Sequence, residues 1–169
     1  GLGCEDWPNC GETVLPAIER HGAIEAWIID DTGFPKHGKH SVGVSHQYCG
    51  QTGKQDNCQV AVSLSLANHH ASLPVAYQLY LPKSWADDPE RRAKAGVPGE
   101  ITFATKLEIA MAQIEWACAT DLPRGVVLMD SAYGTDASLR ARLTALDLQY
   151  AVAVRGRTLV AAGKREASA

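Results

Sequence analysis

The sequence predicts an α/β protein built on a mixed sheet. Three observations lead there. A short apolar run, AIEAWIIDD from Ala23, ends in two carboxylates, and two alternating segments further on read as an antiparallel hairpin. A second apolar run, GVVLMD from Gly125, precedes a stretch with helical spacing. Antiparallel partners followed by strand–helix units leave a mixed sheet as the consistent arrangement, because parallel strands need crossover connections.

Residues 1–22 are a lead-in rich in Gly, Pro and Cys, with one short helix expected around residues 14–20. The first strand is expected over residues 23–31, buried and broken by a turn at Thr32-Gly33-Phe34-Pro35. A loop is then expected to about Asn57, with glycines at 33, 38, 43, 50 and 53. In residues 58–66, Val60, Val62, Leu64 and Leu66 alternate with small residues, which predicts a strand with one buried face. Asn68-His69-His70 makes the turn, and residues 73–81 return with Leu73, Val75, Tyr77 and Leu79 in period two.

Residues 82–100 hold three prolines and are expected as a surface insertion. Helical spacing over residues 101–118 runs through Ile101, Phe103, Leu107, Ile109, Ala110, Ile114 and Ala117. Residues 125–130 suit a strand buried on both faces. Thr135 or Asp136 can cap a helix carrying Leu139, Leu143 and Leu146, and residues 150–154 form a last strand. The domain is therefore read as 23–155, followed by a polar tail over 156–169. Its order of strand, hairpin, helix, strand, helix, strand is that of the ribonuclease H-like fold without its final helix.

Composition bounds the function less sharply. With 169 residues, 46% hydrophobic and 21% charged, the chain can bury one real core. A formal net charge of -3 does not by itself point to nucleic acid. Cys4, Cys10, Cys49, Cys58 and Cys118 contain no CxxC pair and fit no common zinc spacing, so reduced thiols in the cytoplasm are the simplest reading. No apolar run reaches the ~18 residues of a membrane helix, and no signal-peptide pattern opens the chain.

The candidate chemistry lies in the carboxylates. Asp31, beside Asp30, ends the first strand, and Asp130 ends the second apolar run. In open α/β sheets functional groups gather beyond the carboxyl ends of strands. On parallel neighbours, two such side chains could share a divalent cation, with hard oxygens favouring Mg²⁺ or Mn²⁺. The competing explanation for Asp130 is a turn or helix cap. Asp30 and Asp31 point to opposite faces, and pattern alone does not choose between them.

Residues 32–55 contain Lys36, Lys39, Lys54, His37, His40 and His46 and no acidic residue, a local cationic patch suited to a phosphodiester backbone or simply to solvent. The histidines with Cys49 match no zinc-finger spacing. His69 and His70 read as exposed turn residues; Trp27, Trp85 and Trp116 read as core or anchoring aromatics.

Three strings carry a resemblance: WIIDDTGFPKHGKHSVGVSHQYCGQTGKQDNCQVAVSLSLAN, LPVAYQLYLPKSWADDPERRAKAGVP and VVLMDSAYG. Over about residues 16–154 the chain resembles bacterial insertion-sequence transposases of the DDE superfamily. The resemblance implies a ribonuclease H-like core, an Asp-Asp-Glu triad holding two Mg²⁺ or Mn²⁺ ions, DNA as partner, and cleavage with strand transfer at element ends. It selects Asp31, which directly precedes Thr32, over Asp30, and it selects Asp130 in DSAYG. The cationic segment supplies the candidate DNA-backbone contacts Lys36, Lys39, His40 and Lys54, and the resemblance implies a homodimer in the complete protein and a cytoplasmic, nucleoid-associated location.

The family's third ligand, a glutamate on a downstream helix, is not assigned; Glu166 stands in the polar tail, too near the last strand. The family's amino-terminal DNA-binding region is also not recognised. The expectation is a truncated catalytic domain with little or no cleavage of its own. A ribonuclease H-like nuclease without strand transfer and a non-enzymatic, decayed remnant are the alternatives.

Overall fold

The structure is a computed structural model that describes residues 10–154. Among these residues twelve elements follow in order: α1 (Cys10–Glu19), β1 (Ala26–Pro35), β2 (Ser45–Cys49), β3 (Lys54–Ala67), β4 (Ser72–Leu79), α2 (Lys83–Ala86), α3 (Pro89–Lys94), α4 (Lys106–Ala119), β5 (Val126–Met129), α5 (Ser131–Gly134), α6 (Ala137–Ala145) and β6 (Tyr150–Val152). The six strands make one mixed sheet in the order β2-β3-β1-β5-β6, with β4 on β3. β1 runs antiparallel to β3 and parallel to β5, and β5 runs parallel to β6. This is the mixed α/β, ribonuclease H-like architecture that the element order predicts. The polar tail 156–169, Glu166, Cys4 and the first nine residues lie outside the described residues.

The centre of the sheet is apolar because both runs that feed it are. Trp27, Ile29, Val127 and Met129 are buried in register on the paired strands β1 and β5. α4 packs Ile109, Ala110, Met111, Ile114 and Ala117 into the same core, together with Val62, Leu64 and Leu66 of β3. Thr105 starts α4 with a capping box: its hydroxyl accepts from Glu108 N–H while the Glu108 carboxylate accepts from Thr105 N–H. That cap explains why the helix begins at Lys106 and not at Ile101. Residues 101–105 stay outside it, and Phe103 is exposed.

The expected loop over 32–57 is half strand. β1 does not turn at Thr32-Gly33-Phe34-Pro35 but continues to Pro35, pairing with β3 as far as Pro35 opposite Cys58. β2 then pairs with the start of β3, from Ser45 opposite Cys58 to Cys49 opposite Lys54. Gly33 serves close packing here: a Cβ would stand 2.8 Å from Cys49 Sγ. Glycine marked a contact between strands, not a break in one.

β3 is buried on both faces from Val60 to Leu64, not on one. In β4 the expected alternation fails because a bulge between Leu64 and Ser65 leaves Val75 without a paired partner. Val75 and Ala76 are both buried, whereas Leu73 and Tyr77 are exposed.

Residues 82–100 are more than a surface excursion. Trp85 of α2 is fully buried with Val44 and Leu81, flanked by Val42, Ala86, Ala95, Val97 and Ile101. Its Nε1 donates to Val44 O at 2.7 Å, and the Arg91 guanidinium lies 3.7 Å from its ring centroid. This second small core pins the 36–44 segment. Asp136, not Thr135, caps α6. β6 ends at Val152, two residues earlier than expected. Cys49, Cys58 and Cys118 are free thiols.

Candidate functional site

β1 and β5 are neighbouring parallel strands whose register runs from Ala26 opposite Val126 to Ile29 opposite Met129. The residue after Ile29 is Asp30, with Asp31 one step beyond it, and the residue after Met129 is Asp130. Three carboxylates therefore emerge where β5 stops, Asp130 just past its last residue and Asp30 and Asp31 midway along β1. Their fields overlap: the Asp30 carboxyl titrates above its usual range because burial raises it, with the charges of Asp31 and Asp130 adding to the effect. The N–H of Asp31 works the other way by donating to Asp30 Oδ1 at 2.8 Å.

The three are not equivalent. Trp27 and Ile29 face the core under α4, and the strand's alternation continues that face to Asp31. Asp31 meets the first residue of α4, forming an ion pair with Lys106 Nζ. Asp30 is exposed and its carboxylate turns back on the neighbouring backbone. Asp130 caps α5, accepting from Ala132 N–H at 2.8 Å through Oδ1. The capping role is thus real, and it leaves Oδ2 of the same carboxylate outside that bond.

Tyr133 sits on α5 between these groups and the core. It is 2% exposed, and its hydroxyl is buried without a hydrogen-bond partner. Burial first, then the charges of Asp31, Asp130 and Asp30, hold the phenol protonated far above its ordinary range. An unpaired buried hydroxyl close to three carboxylates is costly, and it is a donor with nothing yet to donate to.

Among the described residues no group of three or more His, Cys, Asp or Glu side chains is gathered closely enough to hold a metal ion. That holds for the histidines with Cys49 and for Asp30, Asp31 and Asp130 alike. What stands where β5 stops is a set of hard carboxylate oxygens, one of them already matched by an ammonium. That donor chemistry fits Mg²⁺ or Mn²⁺ better than a softer ion.

The predicted basic residues lie elsewhere. Lys36 follows β1 and Lys54 opens β3. Asp31 pairs with Val62, so at about 3.3 Å per residue Lys54 is roughly 26 Å along the ladder from it, and Lys36 roughly 16 Å. Lys39 and His40 are exposed beyond Lys36, where Arg91 donates to Lys39 O at 3.0 Å. The cation that does reach the carboxylates, Lys106, was missed by sequence reasoning. Its signal was present in Thr105-Lys106-Leu107-Glu108, a capping-box pattern that fixes Lys106 as the first helical residue.

Comparison with known proteins bears on most of the chain. The profile of a family described as "DDE superfamily endonuclease" matches residues 11–167. A relative described as "Probable transposase for insertion sequence element IS701", from Microchaete diplosiphon, is 33% identical over 129 residues, 76% of this chain. The matched region is 31% of that relative, so the chain spans about a third of its length. No solved structure matches.

Proposed function

The chain belongs to the DDE superfamily endonucleases, and from that premise we propose that it is part of the catalytic domain of an insertion-sequence DNA transposase. Asp31 and Asp130 are the two acidic ligands this segment contributes to a divalent-metal site, and Asp30 is not one. The observation that carries the reading is the parallel pairing of β1 with β5, whose register puts Asp130 just past the end of β5 and Asp31 two residues past the last pair on β1. Three further features support it: the hard donor set, the partnerless Tyr133 hydroxyl, and a cation at Asp31 where a metal would otherwise balance the charge.

Two Mg²⁺ or Mn²⁺ ions, when bound, would supply activation of the attacking hydroxyl and stabilisation of the departing 3′ oxygen during phosphodiester cleavage and strand transfer. Asp31 and Asp130 would hold them. Asp130 is fixed for that role by its bond to Ala132 N–H, and β1 and β5 set the spacing between the strands. Lys36, Lys39, His40 and Lys54 contact the DNA backbone at a distance from the reacting phosphate, which orients the duplex without reading its sequence. The partners are the element ends and target DNA, in a homodimer of the complete protein on the bacterial nucleoid.

The test is cleavage of supercoiled DNA carrying the element ends, with Mn²⁺, by the complete protein. Asp31→Ala and Asp130→Ala are each expected to lower the rate on the order of 10²-fold or more, and Asp30→Ala to leave most of it. Loss in Asp30→Ala with retention in Asp31→Ala would overturn the assignment. Joining of pre-cut ends to target DNA separates a transposase from a nuclease that only hydrolyses.

A further inference from the structure

Lys106 is neither a metal ligand nor one of the DNA-backbone contacts proposed above, yet it is the only cation among the described residues in ion-pair contact with the three carboxylates. Its position is built. The capping box at Thr105 and Glu108 fixes the start of α4, and the lysine ammonium lies over the Tyr80 ring, 5.8 Å from its centroid. Both members of the Lys106–Asp31 pair keep only about a third of their side-chain surface, 32% and 30%. The pair is therefore reachable by an ion but sheltered from bulk screening.

Lys106 occupies only Oδ2 of Asp31, but an ammonium and a dication on one carboxylate repel each other, so the lysine weakens the hold of a metal there. The lysine stem is flexible enough to leave. We propose that Lys106 is a positioning residue that stands in for the divalent ion at Asp31: it balances the carboxylate in the metal-free protein, is displaced when metal arrives, and then takes a backbone phosphate of the incoming DNA. This rests on the reading of Asp31 as a metal ligand. The device keeps the acidic strand ends from repelling one another before metal binds, and it releases a positive charge beside the site when DNA is needed there.

The experiment is Mn²⁺ titration of this chain, followed by electron paramagnetic resonance of the free ion and by thermal unfolding with and without Mn²⁺. Lys106→Met and Lys106→Gln remove the competitor. Each is expected to bind Mn²⁺ roughly two- to fivefold more tightly than the parent, while unfolding at lower temperature without metal and closing that gap with it. Lys106→Arg is expected to bind more weakly than the parent, since a guanidinium grips a carboxylate with two bonds. In the metal-loaded protein, Lys106→Gln should lower the slope of log affinity for duplex DNA against log salt by roughly 0.9, one phosphate contact.

Equal or weaker Mn²⁺ binding by Lys106→Met and Lys106→Gln, or a stability deficit that metal does not close, would mean an ordinary structural ion pair and would overturn the proposal. An unchanged salt slope overturns its phosphate half. If the parent chain itself shows no Mn²⁺ binding that Asp31→Asn abolishes, the metal site fails and Lys106's role fails with it, a different result from the ones above.

Discussion

The middle of the β1–β3 ladder and its Pro35–Cys58 end are built from the same backbone pairing and do opposite things. At the first, Asp30 and Asp31 emerge where β5 stops, an acidic edge that meets one lysine from α4. At the other, Phe34 and Pro35 continue into a lysine- and histidine-rich segment, tied down by Asn57 and by Trp85. Asn57 Nδ2 donates to Lys36 O and Gly38 O at 2.6 and 2.8 Å. The acidic end is poised for an ion and carries an unsatisfied hydroxyl, whereas the basic end is fastened by hydrogen bonds from fixed side chains. The positive charge nearest in sequence to Asp31, Lys36, is therefore remote in space, and a positive charge 75 residues away touches it.

Substitutions can break this contrast. The largest effect is expected at the basic end, from Trp85→Ala. It empties the small core and removes the bond to Val44 O, costing about 3–5 kcal/mol. Chemical denaturation checks that figure, and Mn²⁺ binding by the remaining folded protein should be unaltered. A loss below about 1 kcal/mol would mean that 82–100 is a dispensable appendage.

Gly33→Ala comes next. Its Cβ would lie 2.8 Å from Cys49 Sγ and 3.1 Å from Cys49 Cα, so β1 and β2 must part, at about 1–3 kcal/mol. Equilibrium unfolding would measure this, and stability equal to the parent would show that β2 yields freely.

Thr105→Ala is smaller, about 1 kcal/mol at neutral pH, and acts on the acidic end by loosening the presentation of Lys106. Its pH dependence is fixed in sign. Bonds from the Thr105 N–H and hydroxyl hold the Glu108 carboxyl below its usual value of 4.5. The stabilisation is therefore present above that pH and is lost as pH falls through the lowered value. The stability gap between parent and Thr105→Ala should narrow in acid by the share of the hydroxyl–carboxylate bond alone, since the residue-105 N–H still donates to Glu108 in the variant; a gap that widens in acid would overturn this.

The smallest expected effect belongs to Lys54→Ala at the exposed start of β3. Stability should change by no more than about 0.5 kcal/mol, and the salt slope of DNA binding should fall by roughly 0.9. An unaltered slope would leave the basic end as solvated surface.

Much of the fold was legible because it rests on local apolar pattern. Trp27, Ile29, Val127 and Met129 announced the two central strands, and Leu139 and Leu143 announced α6. Asp31 and Asp130 were legible as candidates because each is a carboxylate following an apolar run, a pattern that a turn or helix cap explains as well, and Asp130 does cap α5. The strand over 32–35, β2 and the bulge at Leu64/Ser65 were not legible. Each depends on a pairing partner distant in the chain. Glycine and proline, which read as breaks, are tolerated where β1 passes close to Cys49. The core around Trp85 was hidden for a similar reason: its partners Val44 and Leu81 come from separate segments, and proline and charge dominate the composition of 82–100.

By itself, then, the sequence determined the element order, the central apolar strands and the identity of the carboxylates that end them, since burial periodicity and residue chemistry are properties of short stretches. Only the tertiary structure decided that β1 and β5 are parallel neighbours in register, that Asp31 rather than Asp30 meets α4, and that Lys106 is the cation at that meeting. Those facts depend on how strands and a helix distant along the chain come to rest against one another, and no local pattern encodes that.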